Sequence, residues 1–276
     1  GKIIGKYMIT STSNQQMKTI VQLNKKARAR RELRAFVVEG TKMVAETPRE
    51  LLQRVYVSEH YAGEASGQAL LADLGIDYEV VSDPVFSHVS DTSTPQGILA
   101  VVRMPEYTFA QLLRGRATRL LVLEDIQDPG NLGTMFRTGE GAGLSGVIMT
   151  KNTVDLFAPK TVRATMGSIY RVPFFVTDDL GATLAMLHTE GVRTYAAHLR
   201  GEKYYDELDL TGGCAFLIGN EGNGLTKETA DLADTYLKIP MEGRLESLNA
   251  AMAAGILMYE AHRQGRQEEK LRAHMV

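Results

Sequence analysis

Three short polar segments in the C-terminal half carry the side chains best suited to binding or catalysis. The first is Asp125-Ile126-Gln127-Asp128-Pro129-Gly130-Asn131, running on to Arg137 and Thr138. Asn131 suits a helix N-cap, because its side-chain oxygen can accept a bond from free first-turn amides. Arg137 then lies about one and two-thirds turns further along. A plain cap and a surface ion pair would explain the same two residues. The second segment is Gly219-Asn220-Glu221-Gly222-Asn223-Gly224-Leu225. No Lys-Ser/Thr pair follows its glycines and the dinucleotide spacing is missing, so it is not a phosphate loop. Glu221 in such a turn can accept amide hydrogen bonds or hold a cation, and an ordinary strand-to-helix turn fits equally well. The third is Ile239-Pro240-Met241-Glu242-Gly243-Arg244-Leu245-Glu246-Ser247-Leu248-Asn249. Pro240 ends a strand by removing a donor. Ser247 is expected to cap the next helix, with Asn249 in its first turn among free amides and the helix dipole.

Composition narrows the chemistry. Cys214 is the one cysteine, so neither a disulfide within the chain nor a cysteine metal site can form. It reads as a small buried filler. The six histidines show no ligand spacing, and no metal is expected. No run of about 18 apolar residues exists, so no membrane span is expected, and a reducing cytoplasmic setting is the default. Residues 1–7 read as an addition to the native chain. The net charge of −2 gives no global pull toward nucleic acid. Residues 18–34 differ: Lys18, Lys25, Lys26, Arg28, Arg30, Arg31 and Arg34 stand against Glu32 alone. Such a patch can bind phosphates and release counterions. A solvated helix face has the same composition.

The helices and strands around these segments fall on either side of a polar, basic stretch. Residues 15–106 read as a small α/β domain, with strands at 36–40, 54–57, 78–81 and 97–102 and helices at 42–46 and 64–74. Residues 107–118 read as a linker. Residues 119–276 alternate apolar runs at 120–123, 146–149, 194–197, 215–218 and 236–239 with helices at 179–190, 226–233 and 248–263. Near-continuous apolar runs of this length suit strands buried on both faces, as in a mostly parallel sheet with helices on each side. In such sheets ligands bind beyond the carboxyl ends of strands. All three polar loops stand there. The last helix is rich in alanine and suits close packing on another helix or subunit.

In order and spacing the three loops together resemble the signature motifs of the SpoU (TrmH-like) RNA 2′-O-ribose methyltransferases of the knotted SPOUT class, over residues 119–264. The resemblance implies a trefoil knot that holds S-adenosylmethionine (SAM), with Gly219, Ile239 and Leu248 contacting the cofactor. Leu199, Asn220, Met241 and Asn249 are further candidates for that pocket. Arg137 would be the central catalytic residue, with Asn131, Glu221, Ser247 and Asn249 holding it and the ribose in register. Lys25 to Arg34 followed by Phe36-Val37-Val38-Glu39-Gly40 resembles the family's substrate-binding domain, itself similar to a small ribosomal RNA-binding protein. RNA contacts are therefore expected from Lys25, Lys26, Arg28, Arg30, Arg31 and Arg34. The expected substrate is ribosomal RNA first and transfer RNA second, and the expected assembly is a homodimer through the C-terminal domain. One departure is Thr138-Gly139-Glu140-Gly141-Ala142-Gly143, where members more often carry alanines and the glycines question the rigidity of the helix. Methylation of a base nitrogen, or an inert ribosome-assembly factor, are the competing readings.

Overall fold

The computed structural model describes residues 7–275. Residues 1–6, within the stretch read as an addition, lie outside the described residues. The chain forms two units. One comprises the residues through Pro105 together with Asp155–Tyr170, and the other Glu106–Val154 and the residues from Arg171 onward.

The first unit opens with α1 (Gln15–Lys25), capped by Asn14, whose side chain accepts from the amides of Gln16 and Met17. Its apolar residues recur at Met17, Ile20 and Leu23 and are buried. Then come α2 (Ala27–Leu33), β1 (Ala35–Glu39), α3 (Thr41–Glu46), β2 (Leu52–Ser58), α4 (Glu59–Gly63), α5 (Ala65–Leu74), β3 (Glu79–Val81), α6 (Asp83–Val89) and β4 (Ile98–Arg103). The strands form a four-stranded mixed sheet in the order β1-β4-β2-β3, in which only β2 and β3 run parallel. Val37, Tyr56, Val81, Phe86 and Leu99 join the α1 residues in one core.

The second unit begins with residues 107–118, which the sequence marks as a linker. They fold as part of the core instead. Tyr107 and Phe109 meet Phe174 and Phe175 edge-on, with centroids 5.2 and 5.9 Å apart, and Leu112 is fully buried. Their aromatic and aliphatic residues gain more from burial than a tether would. Then follow β5 (Arg119–Leu123), α7 (Pro129–Gly141) and β6 (Gly146–Thr150). After β6 the chain returns to the first unit for residues 155–170. There Phe157 tilts against Phe36 at 4.9 Å, and α8 (Pro159–Thr165) packs on β1. The remainder is β7 (Phe174–Thr177), α9 (Leu180–Thr189), β8 (Arg193–Ala197), β9 (Lys203–Tyr204), β10 (Cys214–Ile218), α10 (Lys227–Leu232), β11 (Thr235–Lys238) and α11 (Ala250–His274).

Seven strands form one sheet in the order β7-β6-β5-β10-β8-β11-β9, with every pairing parallel. The apolar runs are buried as expected of a covered sheet: β10 is buried at all five positions. The glycines near the end of α7 do not break it. A Cβ on Gly139 would lie 2.7 Å from Leu144 Cδ2, so glycine there admits a close contact rather than adding flexibility. Helix α11 runs past the expected stop at 263. Gln264 accepts from Leu210 N (2.8 Å) and donates to Leu208 O (3.0 Å), and Glu268 pairs with Arg116 (2.9 Å). No helix among the described residues is long and apolar enough to cross a membrane.

Candidate functional site

Because the strands are parallel, β8, β10 and β11 deliver their carboxyl ends to one edge of the sheet. A cavity of about 580 Å³ opens there. Gly219, Asn220 and Glu221 line it from the loop after β10, and Ile239, Met241, Ser247, Leu248 and Asn249 from the loop after β11. Leu199 follows β8, and Asn131 comes from α7. Of the catalytic and cofactor residues expected from sequence, only Arg137 does not line the cavity. It is exposed on α7.

The three loops are tied to one another. Asn220 donates through Nδ2 to Asp125 O (2.8 Å) and accepts through Oδ1 from Gly222 N (2.9 Å) and Asn223 N (3.0 Å). Glu221 accepts from Gln127 N (2.8 and 3.1 Å) and Asp128 N (3.1 Å). Asn249 donates to Asn131 Oδ1 at 3.0 Å. Glu221, Asn131 and Asn249 hold loop to loop, and no hydrogen bond joins any of them to Arg137 among those described. The carboxylate of Glu221 takes the amides just before α7, where the positive end of the helix dipole also favours it.

Two caps also differ from expectation. Asp128 is the N-cap of α7, accepting from Asn131 N at 2.9 Å, and Pro129 takes the first helical position. Proline has no amide to leave unpaired there, which is why the helix starts three residues earlier. At α11, Asn249 rather than Ser247 is the cap, accepting from Ala251 N (2.8 Å) and Met252 N (3.1 Å). Ser247 remains exposed at the rim. Glu124, a buried carboxylate after β5, does not stand out in the sequence. It accepts from Thr226 N (2.7 Å), Thr226 Oγ1 (3.1 Å) and Thr229 Oγ1, anchoring the far end of the glycine turn. A lone acid after a strand gave no signal. His198 also lines the cavity, and its spacing from the other histidines suits no metal.

The cavity fits an adenosyl group. Ile218, Leu225 and Leu237 supply an apolar wall, and Leu199, 60% exposed, stands at its edge. Opposite, the glycine turn folds back so tightly that a Cβ on Gly219 would lie 2.0 Å from Leu225 N. Main chain can therefore face a ligand directly. No group of three or more His, Cys, Asp or Glu able to hold a metal occurs among the described residues.

The basic segment in the first unit is divided. Lys25, Lys26, Arg28, Arg31 and Arg34 are exposed, with Arg28 paired to Glu32 at 2.8 Å. Arg30 is 4% exposed and points inward, contrary to expectation. Its Nε donates to Asp155 (2.9 Å) and its Nη1 to Leu23 O (2.6 Å). A guanidinium engaged this way has no face for phosphate.

Comparison with known proteins agrees with this geometry. Residues 118–259 match the SpoU rRNA Methylase family, and residues 14–100 match an MRM3-like substrate binding domain. A curated relative, the 23S rRNA (guanosine(2553)-2′-O)-methyltransferase RlmP of Bacillus subtilis, is 35% identical, over 91% of this chain and 97% of its own. The structure of an AdoMet-bound rRNA methyltransferase from Sinorhizobium meliloti is 30% identical, with a TM-score of 0.80 over 93% of this chain and 97% of that one. The SpoU methyltransferase AviRb from Streptomyces viridochromogenes, at 23% identity, shares the fold with a TM-score of 0.82 over 92% and 99% of the two chains.

Proposed function

The chain belongs to the SpoU rRNA methylase family, and from that premise we propose that it methylates a ribose 2′-hydroxyl of ribosomal RNA using SAM. The observation that carries this reading is the meeting of the three motif loops around one adenosyl-sized cavity. Gly219, Ile239 and Leu248 hold the cofactor, with Leu199, Asn220, Met241 and Asn249 around them. When bound, SAM supplies a methyl group made electrophilic by its sulfonium.

The remaining work falls to the protein. A ribose hydroxyl holds its proton tightly, so the hydroxyl must be oriented in line, its proton must pass to solvent as the oxygen–carbon bond forms, and its oxygen must be stabilised as charge develops. Arg137 is assigned to orient the hydroxyl and a neighbouring phosphate, not to act as base, because a guanidinium side chain offers only hydrogen-bond donors. Glu221, Asn131 and Asn249 act as positioning residues, fixing the start of α7, and so the helix that bears Arg137, against the cofactor loops. Ser247 sits at the rim, where an RNA strand would pass.

The same reading includes a trefoil knot around the cofactor loops and a homodimer through the second unit. Support for the dimer comes from Met252 and Tyr259 on α11, 62% and 47% exposed, which are large apolar residues of the kind an interface covers. The first unit would bind RNA through Lys25, Lys26, Arg28, Arg31 and Arg34, and is likened to a small ribosomal RNA-binding protein. A cytoplasmic setting accompanies a ribosomal substrate. Tritiated methyl transfer to RNA from a deletion strain tests the reaction. A methylated dinucleotide that resists alkaline hydrolysis is expected, because cleavage needs the free 2′-hydroxyl. Arg137→Ala should abolish transfer while leaving SAM affinity within about twofold. Full activity in that variant, or methyl on a base, would overturn the assignment.

A further inference from the structure

His198 lines the cavity but takes no part in the network that ties the motif loops. It is the first residue after β8 and belongs to a turn closed twice on itself. Gly201 N donates to His198 O (3.0 Å), and Arg200 N donates to His198 Nδ1 (3.1 Å). The backbone of His198 donates in turn to Leu237 O of β11 (3.0 Å). Gly201 presses on the same strand end, where an added Cβ would lie 2.6 Å from the carbonyl carbon of Leu237. The imidazole tilts against Tyr236, with centroids 5.4 Å apart. Ring and backbone are thus both held in place.

The chemistry of that turn fixes the tautomer. A ring nitrogen that accepts an amide N–H carries no proton, so the neutral ring bears its proton on Nε2. Nε2 has no hydrogen bond or ion pair among the described residues. Two other side-chain donors of the cavity are engaged already: Asn220 Nδ2 by Asp125, and Asn249 Nδ2 by Asn131. A half-buried N–H on a residue that lines the cavity, with its ring already held in place, is a partner for a ligand oxygen that loses water on entry. SAM carries such oxygens on its ribose and on its carboxylate. We propose that His198 Nε2–H donates a hydrogen bond to an oxygen of bound SAM, making His198 a cofactor-binding residue. The inference rests on the SAM reading above.

Calorimetry on the wild-type chain, His198→Phe and His198→Gln tests it, with SAM and 5′-methylthioadenosine as ligands and thermal midpoints measured alongside. Phenylalanine keeps a ring against Tyr236 and removes the donor. Glutamine can place an N–H near the original Nε2. SAM should bind His198→Phe roughly three- to tenfold more weakly, the effect of one hydrogen bond, and His198→Gln within about twofold of wild type. KM for SAM should rise in step in the Phe variant while kcat holds. A matching loss with 5′-methylthioadenosine places the oxygen on the ribose, and a loss confined to SAM places it on the carboxylate. Wild-type affinity in His198→Phe, or equal weakening in both variants, would overturn the inference alone. Failure of the wild-type chain to bind SAM would overturn the methyltransferase reading with it.

Discussion

Arg30 and Arg31 are neighbours in a basic run, yet the structure buries the first and exposes the second, and replacing each by alanine separates the two. Arg30 is buried, and Asp155, its partner, is 27% exposed. Arg30→Ala deletes a charge-assisted bond to Asp155 at 2.9 Å and another to Leu23 O at 2.6 Å, and leaves the carbonyl of Leu23 unpaired. Breaking one side of a buried pair is worth about 3–5 kcal/mol, and the partial exposure of Asp155 argues for the lower end, about 3 kcal/mol. For a domain of this size that lowers the melting midpoint by roughly 10 °C. Arg31→Ala removes an exposed cation and should leave the midpoint within about 2 °C. Its effect belongs in RNA binding: a shallower salt dependence, with the log–log slope reduced by about one. Thermal denaturation and filter binding across a salt series read both quantities. A stable Arg30→Ala protein with weakened RNA binding would refute the inward assignment.

Three further outcomes follow from the same geometry. Glu221→Gln sets an amide donor against the backbone amides of Gln127 and Asp128, and should lower kcat/KM about tenfold in a methyl-transfer assay; unchanged turnover would remove its positioning role. Asn249→Asp keeps the cap on α11 but loses the donor to Asn131, so activity should fall with little loss of stability, whereas Asn249→Ala should lose about 1 kcal/mol by urea denaturation as well. Burial pushes the Cys214 thiol up to about 11, so at pH 8 it is almost wholly protonated and iodoacetamide should label it only after unfolding. Rapid labelling of native protein would contradict that.

The interior of the large sheet was legible because its central strands are buried on both faces and therefore read as unbroken apolar runs. Its margins were not. β9 is two exposed residues, and β7 carries an exposed Val176 in the middle of a four-residue strand. Neither offers a run to detect. The site loops were legible as loops, but not the bonds within them. Each helix start holds two residues able to cap, Asp128 with Asn131 and Ser247 with Asn249, and composition does not rank them. Pro129 was the discriminating signal at α7, since it favours the residue before it as cap. Burial of Arg30 was invisible because its partner lies 125 residues away. Glu124 was invisible for the same reason, since Thr226 and Thr229 are brought to it only by the pairing of β5 with β10.

The excursion of residues 155–170 bears on how such a protein can be inherited and rearranged. A domain that is one continuous stretch of sequence can be copied, lost or joined to another by a single cut on each side. Here a cut after Pro105 would strip β1 of α8 and leave Phe36 without Phe157, while the other fragment would carry Phe157, Val162 and Ile169 with the core they fill left behind. Both halves would expose apolar surface that promotes aggregation. In this chain the substrate-binding and methyl-transfer units are therefore not separable by one cut at the boundary after Pro105.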